Sequence, residues 1–154
     1  MIKIILTILL FSSASFAAGT SYDDSSSVST DDQVTKLYNK AYELVYKKKF
    51  DKSVKLLEKI VKRNDLGEKK ADVYNLLGFS YRKNKKPDLD KAFVAYQIAI
   101  KANPKHLGAH EYLGELYITL GDINMANEML IKLQEIAGTE TMEYIKLKKA
   151  IDNS

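Results

Sequence analysis

Two glycines set inside strongly helical sequence constrain this chain more than any other feature. Gly78 and Gly114 each lie in a stretch of helix-forming residues, and Ala92 and Ala126 follow them fourteen and twelve positions later. A glycine in mid-helix costs up to about 1 kcal/mol against alanine. It persists where another helix comes too close to admit a Cβ. An earlier segment has the same layout, with Ala41 followed by Ser53, and the steps from Ala41 to Gly78 and from Gly78 to Gly114 are 37 and 36 residues. Small residues facing each other with large rings beyond them are how two antiparallel helices interlock at short range. The spacing therefore predicts three copies of one helical hairpin.

The residues around these anchors form a recognisable pattern. Segment two reads Tyr74, Leu77-Gly78, Tyr81, Ala92, Tyr96, Ala99 and Pro104; segment three reads His110, Leu113-Gly114, Tyr117, Ala126 and Leu130, with Gly138 where a proline would close. Segment one is looser: Leu37, Ala41, Leu44, Ser53, Leu57 and Asp65. This pattern resembles the tetratricopeptide repeat family, whose period is roughly 34 residues. A degenerate first copy fits an end unit with one face on solvent. The resemblance is closer still to small exported bacterial proteins of this family. Their third repeat reads like His106-Leu107-Gly108-Ala109-His110-Glu111-Tyr112-Leu113-Gly114-Glu115-Leu116-Tyr117, and they end in a helix like Glu143-Tyr144 through Leu147-Lys148. Members of that group often carry cysteines just before this last helix. Here Ala137-Gly138-Thr139 stands there, so no disulfide or metal role carries over. The resemblance implies an all-α fold, a right-handed tetratricopeptide superhelix of three helical hairpins plus a C-terminal capping helix.

Local punctuation sets the expected boundaries: repeats over about 34–67, 71–104 and 107–138, then a capping helix and tail over 139–154. Asn103-Pro104 reads as an N-cap followed by proline at the first helical position. Gly121-Asp122 reads as a helix stop beside an N-cap. The surplus residues fall in turns, Arg82 to Asp88 within hairpin two and Asn64 to Glu68 between the first two repeats, which leaves the helix faces in register. In the last helix, capped by Thr139 or Thr141, Tyr144, Leu147 or Lys148, and Ile151 share one stripe, suited to covering the open apolar face of repeat three.

The N-terminus points to export. Lys3 precedes an apolar run, Ile4 to Phe11, and Ser15 and Ala17 occupy the −3 and −1 positions of a cleavage site after Ala17. Residues 1–17 thus read as a signal peptide, with an apolar run well short of the roughly 20 residues a spanning helix needs. Residues 18–31, rich in Ser, Thr and Asp, read as a disordered acidic tether. The formal charge of the whole chain is +4. One lysine and four aspartates belong to the signal, the tether and its edge, so the folded part carries about +7. The expected location is periplasmic or secreted, in a Gram-negative bacterium, with no membrane span after cleavage.

Little here supports catalysis. The chain has no cysteine, which removes thiol nucleophiles and thiolate metal sites. His106 and His110 are four apart, but Gly114 stands where a zinc-protease motif would place its second histidine. Glu111 and Glu115 form an ordinary surface-type carboxylate pair. No Gly-x-Ser-x-Gly elbow and no phosphate-binding glycine loop occurs. The lysine clusters Lys47–Lys49, Lys69-Lys70, Arg82–Lys86 and Lys146–Lys149 fall mostly at turns and helix ends, a solvated placement that does not support nucleic-acid binding. No enzyme activity, metal or cofactor is expected.

In the tetratricopeptide fold the first helix of each hairpin lines a concave groove that grips a peptide or partner helix. Mapped by repeat position, the expected groove residues are Tyr38, Tyr42 and Tyr46; then Asn75, Phe79, Arg82 and Lys83; then Glu111, Glu115 and Ile118. Tyr42 and Phe79 equally suit packing. The carboxylate clamp of chaperone-tail domains in this family needs Lys and Asn where Tyr38 and Tyr42 stand, so that specificity is not implied. The expected function is an exported scaffold or adaptor for a protein or peptide partner, with a role in envelope assembly. The alternative is a self-associating structural module of the envelope.

Overall fold

A computed structural model describes residues 30–63 and 65–154; the expected signal peptide and the tether from residue 18 to 29 lie outside them. The described residues form three hairpins and a last helix: α1 (Thr30–Tyr46) with α2 (Phe50–Val61), α3 (Lys70–Lys83) with α4 (Leu89–Ala102), α5 (Leu107–Thr119) with α6 (Ile123–Ala137), and α7 (Met142–Asp152). A 3-10 turn, Gly67–Lys69, leads into α3. The expected tether extends to Asp31, but α1 already begins at Thr30. Asp32 thereby sits in the first turn, at the positive end of the helix macrodipole, where acidic residues stabilise a helix.

Side-chain caps start most helices. Asp88 accepts from the Lys91 N–H at 3.1 Å and Asp122 from the Met125 N–H at 3.1 Å. Thr141, the second of the two expected caps, accepts from the Tyr144 N–H at 3.4 Å. The start of α5 differs from the sequence expectation. Proline pushes its predecessor out of the helical region, and Asn103 is extended at φ −140°, ψ 98°. Its side chain closes a turn onto the Lys105 N–H at 3.0 Å. The N-cap is instead His106, whose Nδ1 accepts from the Ala109 N–H at 3.0 Å. That bond fixes the tautomer, leaving Nε2–H to donate to Asp72 Oδ1 at 3.2 Å on α3.

The two mid-helix glycines have different neighbours. A Cβ on Gly78 would come 2.7 to 3.0 Å from the ring of Tyr96, a fully buried residue of α4 in the same hairpin. A Cβ on Gly114 would meet Leu147 at 2.5 Å, on α7. The reading of Gly114 as a seat for its own hairpin's second helix is corrected: the close approach is made by the capping helix. α7 packs on both α5 and α6, with Leu147 fully buried, Tyr144 and Ile151 half-buried, and Lys148 exposed.

Hairpins one and two share a seam that explains the serine in the alanine position. Ser53 donates to the Ala41 carbonyl at 3.2 Å and meets the Ser80 hydroxyl at 3.1 Å, and Ser80 donates to the Leu76 carbonyl at 2.8 Å. Both serines are fully buried, and each polar atom finds a partner as burial requires. Tyr81 spans the same joint, donating to Glu58 Oε1 at 2.8 Å. Charge is unevenly divided along the stack. From Thr30 to Arg63 there are ten Lys and Arg against five Asp and Glu, whereas residues 64–154 hold thirteen of each. Lys52, Lys55, Lys59 and Lys62 recur along one exposed side of α2 and its end. Among the described residues, none of these four lysines has an acidic partner within 4 Å.

Candidate functional site

The first helices of the hairpins touch in order, α1 against α3 and α3 against α5, and α7 packs on α5 where a fourth first helix would lie. Along this series runs a ladder of rings. Tyr38 lies 6.4 Å from Tyr42, Phe50 6.2 Å from Phe79, Phe79 4.9 Å from Tyr112, and Tyr112 6.2 Å from the buried Tyr96. Tilted and edge-on contacts at these separations are favourable beyond area burial. Between α1, α3 and α5 the ladder encloses a cavity of about 230 Å³, walled by Tyr38, Tyr42, Tyr46, Phe79 and Tyr112 and floored by Asn75, Leu76 and Val45.

Five of the ten residues expected from sequence meet at this cavity: Tyr38, Tyr42, Tyr46, Asn75 and Phe79. Tyr42 and Tyr46 keep 56% and 84% of their surface exposed, so packing does not account for them. Tyr38 is half-buried against the first core cluster, and burial, helped by Asp72, pushes its phenol up to about 12. It stays a hydrogen-bond donor at any physiological pH. The Asn75 Oδ1 is buried with no hydrogen-bond partner among the described residues. An acceptor left so at a cavity is costly unless something supplies the proton.

Three more expected residues form a charged step beside the rings. Arg82 is buried and its guanidinium lies 5.9 Å from the Phe79 ring and 5.8 Å from the Tyr112 ring, while Nη2 pairs with Glu115 across hairpins. A guanidinium held against aromatic faces and a carboxylate is well suited to burial. Lys83 is exposed, with Nζ 5.9 Å from the Phe79 ring. Ile118, half-buried on α5, takes no part in the ring ladder.

Glu111 departs from its expected place as an exposed groove reader: only 2% of it is accessible, because α7 packs over this face of α5. Lys146 Nζ of α7 approaches Glu111 Oε1 at 3.8 Å. Burial pushes its carboxyl up to about 7; Lys146 opposes this, Glu115 and Glu143 add to it, and Arg82 opposes it.

Sequence reasoning missed Tyr112 and Leu76 as wall and floor, and Glu143 and Lys146 as the far end. A signal existed for the first pair. Leu76 and Tyr112 each precede the leucine of the Leu-Gly step and stand 36 residues apart, one repeat period. The contribution of α7 had no such signal, since it follows from how the last helix docks. The histidines are placed elsewhere. His106 is spent on a cap and on Asp72, and His110 Nε2 donates to the Pro104 carbonyl at 2.9 Å.

Three hairpins stacked with their first helices along one groove, closed by a single helix, are the tetratricopeptide-repeat fold. No family model and no curated protein matches the chain. Solved structures do. The chain is similar to the Yersinia enterocolitica type III secretion chaperone SycD in complex with a peptide of the translocator YopD, with a TM-score of 0.64 and 17% identity over 79% of this chain and 88% of that one. It is similar to the first TPR of Spaghetti (RPAP3) bound to the HSP90 peptide SRMEEVD, with a TM-score of 0.66 and 16% identity over 80% and 94% of the two chains. PcrH in complex with the chaperone binding region of PopB gives a TM-score of 0.64 and 16% identity over 79% and 94%. At these identities the likeness is one of fold.

Proposed function

We propose that this chain is an exported scaffold that binds an extended or helical segment of a partner protein in its concave groove, in the service of envelope assembly. The observation that carries the reading is the aromatic cavity between α1, α3 and α5. Exposed tyrosines and an unsatisfied Asn75 acceptor line it, the mixture of rigid rings and polar readers that concentrates binding energy at interfaces. Three fold neighbours were solved with peptides or binding regions of other proteins, which supports the use of such a fold for this purpose. Export rests on the first 17 residues, and binding rather than catalysis on the commitment of both histidines to structural bonds.

The test uses Tyr42→Ala with Tyr46→Ala, since both side chains are largely exposed and the fold does not depend on them. The double variant should keep its helical circular dichroism and melting temperature. It should lose most partner recovery in crosslinking from the native envelope. Undiminished recovery would remove the groove from consideration. Self-association is the second reading, carried by the exposed Met142 and Ile145 of α7 and Ile131 of α6. A mass that stays monomeric in light scattering across a hundredfold concentration range would dispose of it.

A further inference from the structure

We propose that a second cavity, between α4, α5 and α6 on the side of the second helices, is a site for a small amphiphilic acid: an alkyl chain that carries a hydroxyl and ends in a carboxylate. It stands apart from the groove, since this cavity and the aromatic one share no lining residue.

The cavity has a volume of about 550 Å³, within the range of small-molecule sites. Ile100 of α4, Leu113 and Tyr117 of α5 and Met129 of α6 supply its apolar surface. Phe93 holds the Tyr117 ring edge-on at 5.8 Å, while the unbranched Met129 adapts to what lies against it. Such a wall takes up an alkyl chain and offers little to a body that is polar all round.

His110 adds a polar demand. It lines the cavity and is 5% exposed. Its Nε2 lies 2.9 Å from the Pro104 carbonyl oxygen, which can only accept. In the neutral ring the proton is therefore on Nε2, and Nδ1 is an acceptor. Nδ1 is buried with no hydrogen-bond partner among the described residues, so a ligand that brings a donor to it is favoured. A hydroxyl meets this need without the carbonyl that an amide N–H would carry into the apolar wall.

The lysines set the charge. Lys101 and Lys132 flank the cavity, both exposed, and no described Asp or Glu lines it. Lys132 pairs with Glu135 at 2.7 Å, but both side chains are more than half exposed, and a surface pair of this kind holds little energy. It gives way to a carboxylate anchored by its own chain. The equivalent notch one repeat earlier lacks this chemistry. Tyr74, Leu77 and Tyr81, each 36 residues before His110, Leu113 and Tyr117, line an apolar cavity of about 310 Å³. There a tyrosine replaces the histidine, and Asp90 lies beside Lys91, where an anionic ligand would meet a negative charge. The notch thus comes with the repeat, but the histidine and the lysine pair belong to the joint between hairpins two and three.

The experiment is isothermal titration calorimetry on the folded chain with β-hydroxydecanoate, decanoate and decanol. β-Hydroxydecanoate should bind saturably, one molecule per chain. Decanoate, which lacks the hydroxyl, should bind about fivefold more weakly, as for one lost hydrogen bond, and decanol, which also lacks the charge, more weakly again. On Lys101→Gln with Lys132→Gln, at two exposed positions, β-hydroxydecanoate should lose at least about threefold and decanol should be unchanged. On His110→Phe the preference for β-hydroxydecanoate over decanoate should vanish; if that variant does not fold, the preference on the native chain decides. Tyr42→Ala, at the aromatic cavity, should bind as the native chain does. The site is overturned by a lack of saturable binding or by equal affinity for the two acids on the native chain. It is equally overturned by unchanged affinity on the lysine variant, by a preference that persists on His110→Phe, or by loss of binding on Tyr42→Ala.

Discussion

At the scale of single residues, a buried Glu111 makes stability depend on pH in an unusual direction. Its folded-state pKa, near 7, lies above the roughly 4.3 of an unfolded glutamate, so the folded chain holds the proton more tightly. The stabilisation is complete below the unfolded value and disappears as pH rises through the folded one. Urea denaturation at pH 5 and pH 8 should therefore show the native chain losing on the order of 2 kcal/mol more than Glu111→Gln over that interval. Equal losses would mean that Glu111 is solvated. The residue also shows where sequence reading stops. Its position in the groove series follows from the repeat, and Glu115 was legible on the same grounds. Its burial is set by a helix more than thirty residues away, whose docking angle no local pattern encodes. Arg82 and Glu115 are legible separately as groove positions, but their pairing depends on the offset between neighbouring hairpins.

At the scale of elements, the join between α5 and α7 turns on one close approach, that of Leu147 to Gly114. Ala at position 114 would gain helix propensity of about 1 kcal/mol but would press on the buried Leu147 methyls, 2.5 Å from the new Cβ. Gly114→Ala should cost about 1–3 kcal/mol as overpacking, and Leu147→Ala about 2–4 kcal/mol as a cavity. The double variant should cost clearly less than their sum, because the new methyl occupies the space that the leucine vacates. Additive losses in equilibrium denaturation would separate the two sites. The sequence made the glycine conspicuous and gave the last helix a covering role. It did not show that one explains the other, because a helix glycine advertises a close neighbour without naming it. The start of α5 lies beyond local pattern for a comparable reason: Asn103-Pro104 satisfies the local rule for a helix start, but His106 caps the helix and also bonds Asp72 of the preceding hairpin.

At the scale of the whole molecule, a repeat stack behaves as a line of nearest-neighbour units, and this line has a weak end. α2 starts without a side-chain cap at Lys49, and the turn before it holds Lys48 at φ 54°, a left-handed conformation that costs a non-glycine residue roughly 1 kcal/mol. Hydrogen exchange should therefore open α1 and α2 ahead of α3 to α6, and Lys48→Gly should slow that opening by up to about fivefold. Uniform exchange across the three hairpins would contradict the picture. The weakness agrees with the loose pattern of the first segment, the part of the fold in which the repeat was hardest to read. Among the described residues that same end carries the excess of positive charge, four of its lysines lying along one exposed side of α2 and its end. The protein is thus an electrical lever with its load at one tip. Near a negatively charged wall such a distribution turns the first hairpin inward and the later ones outward.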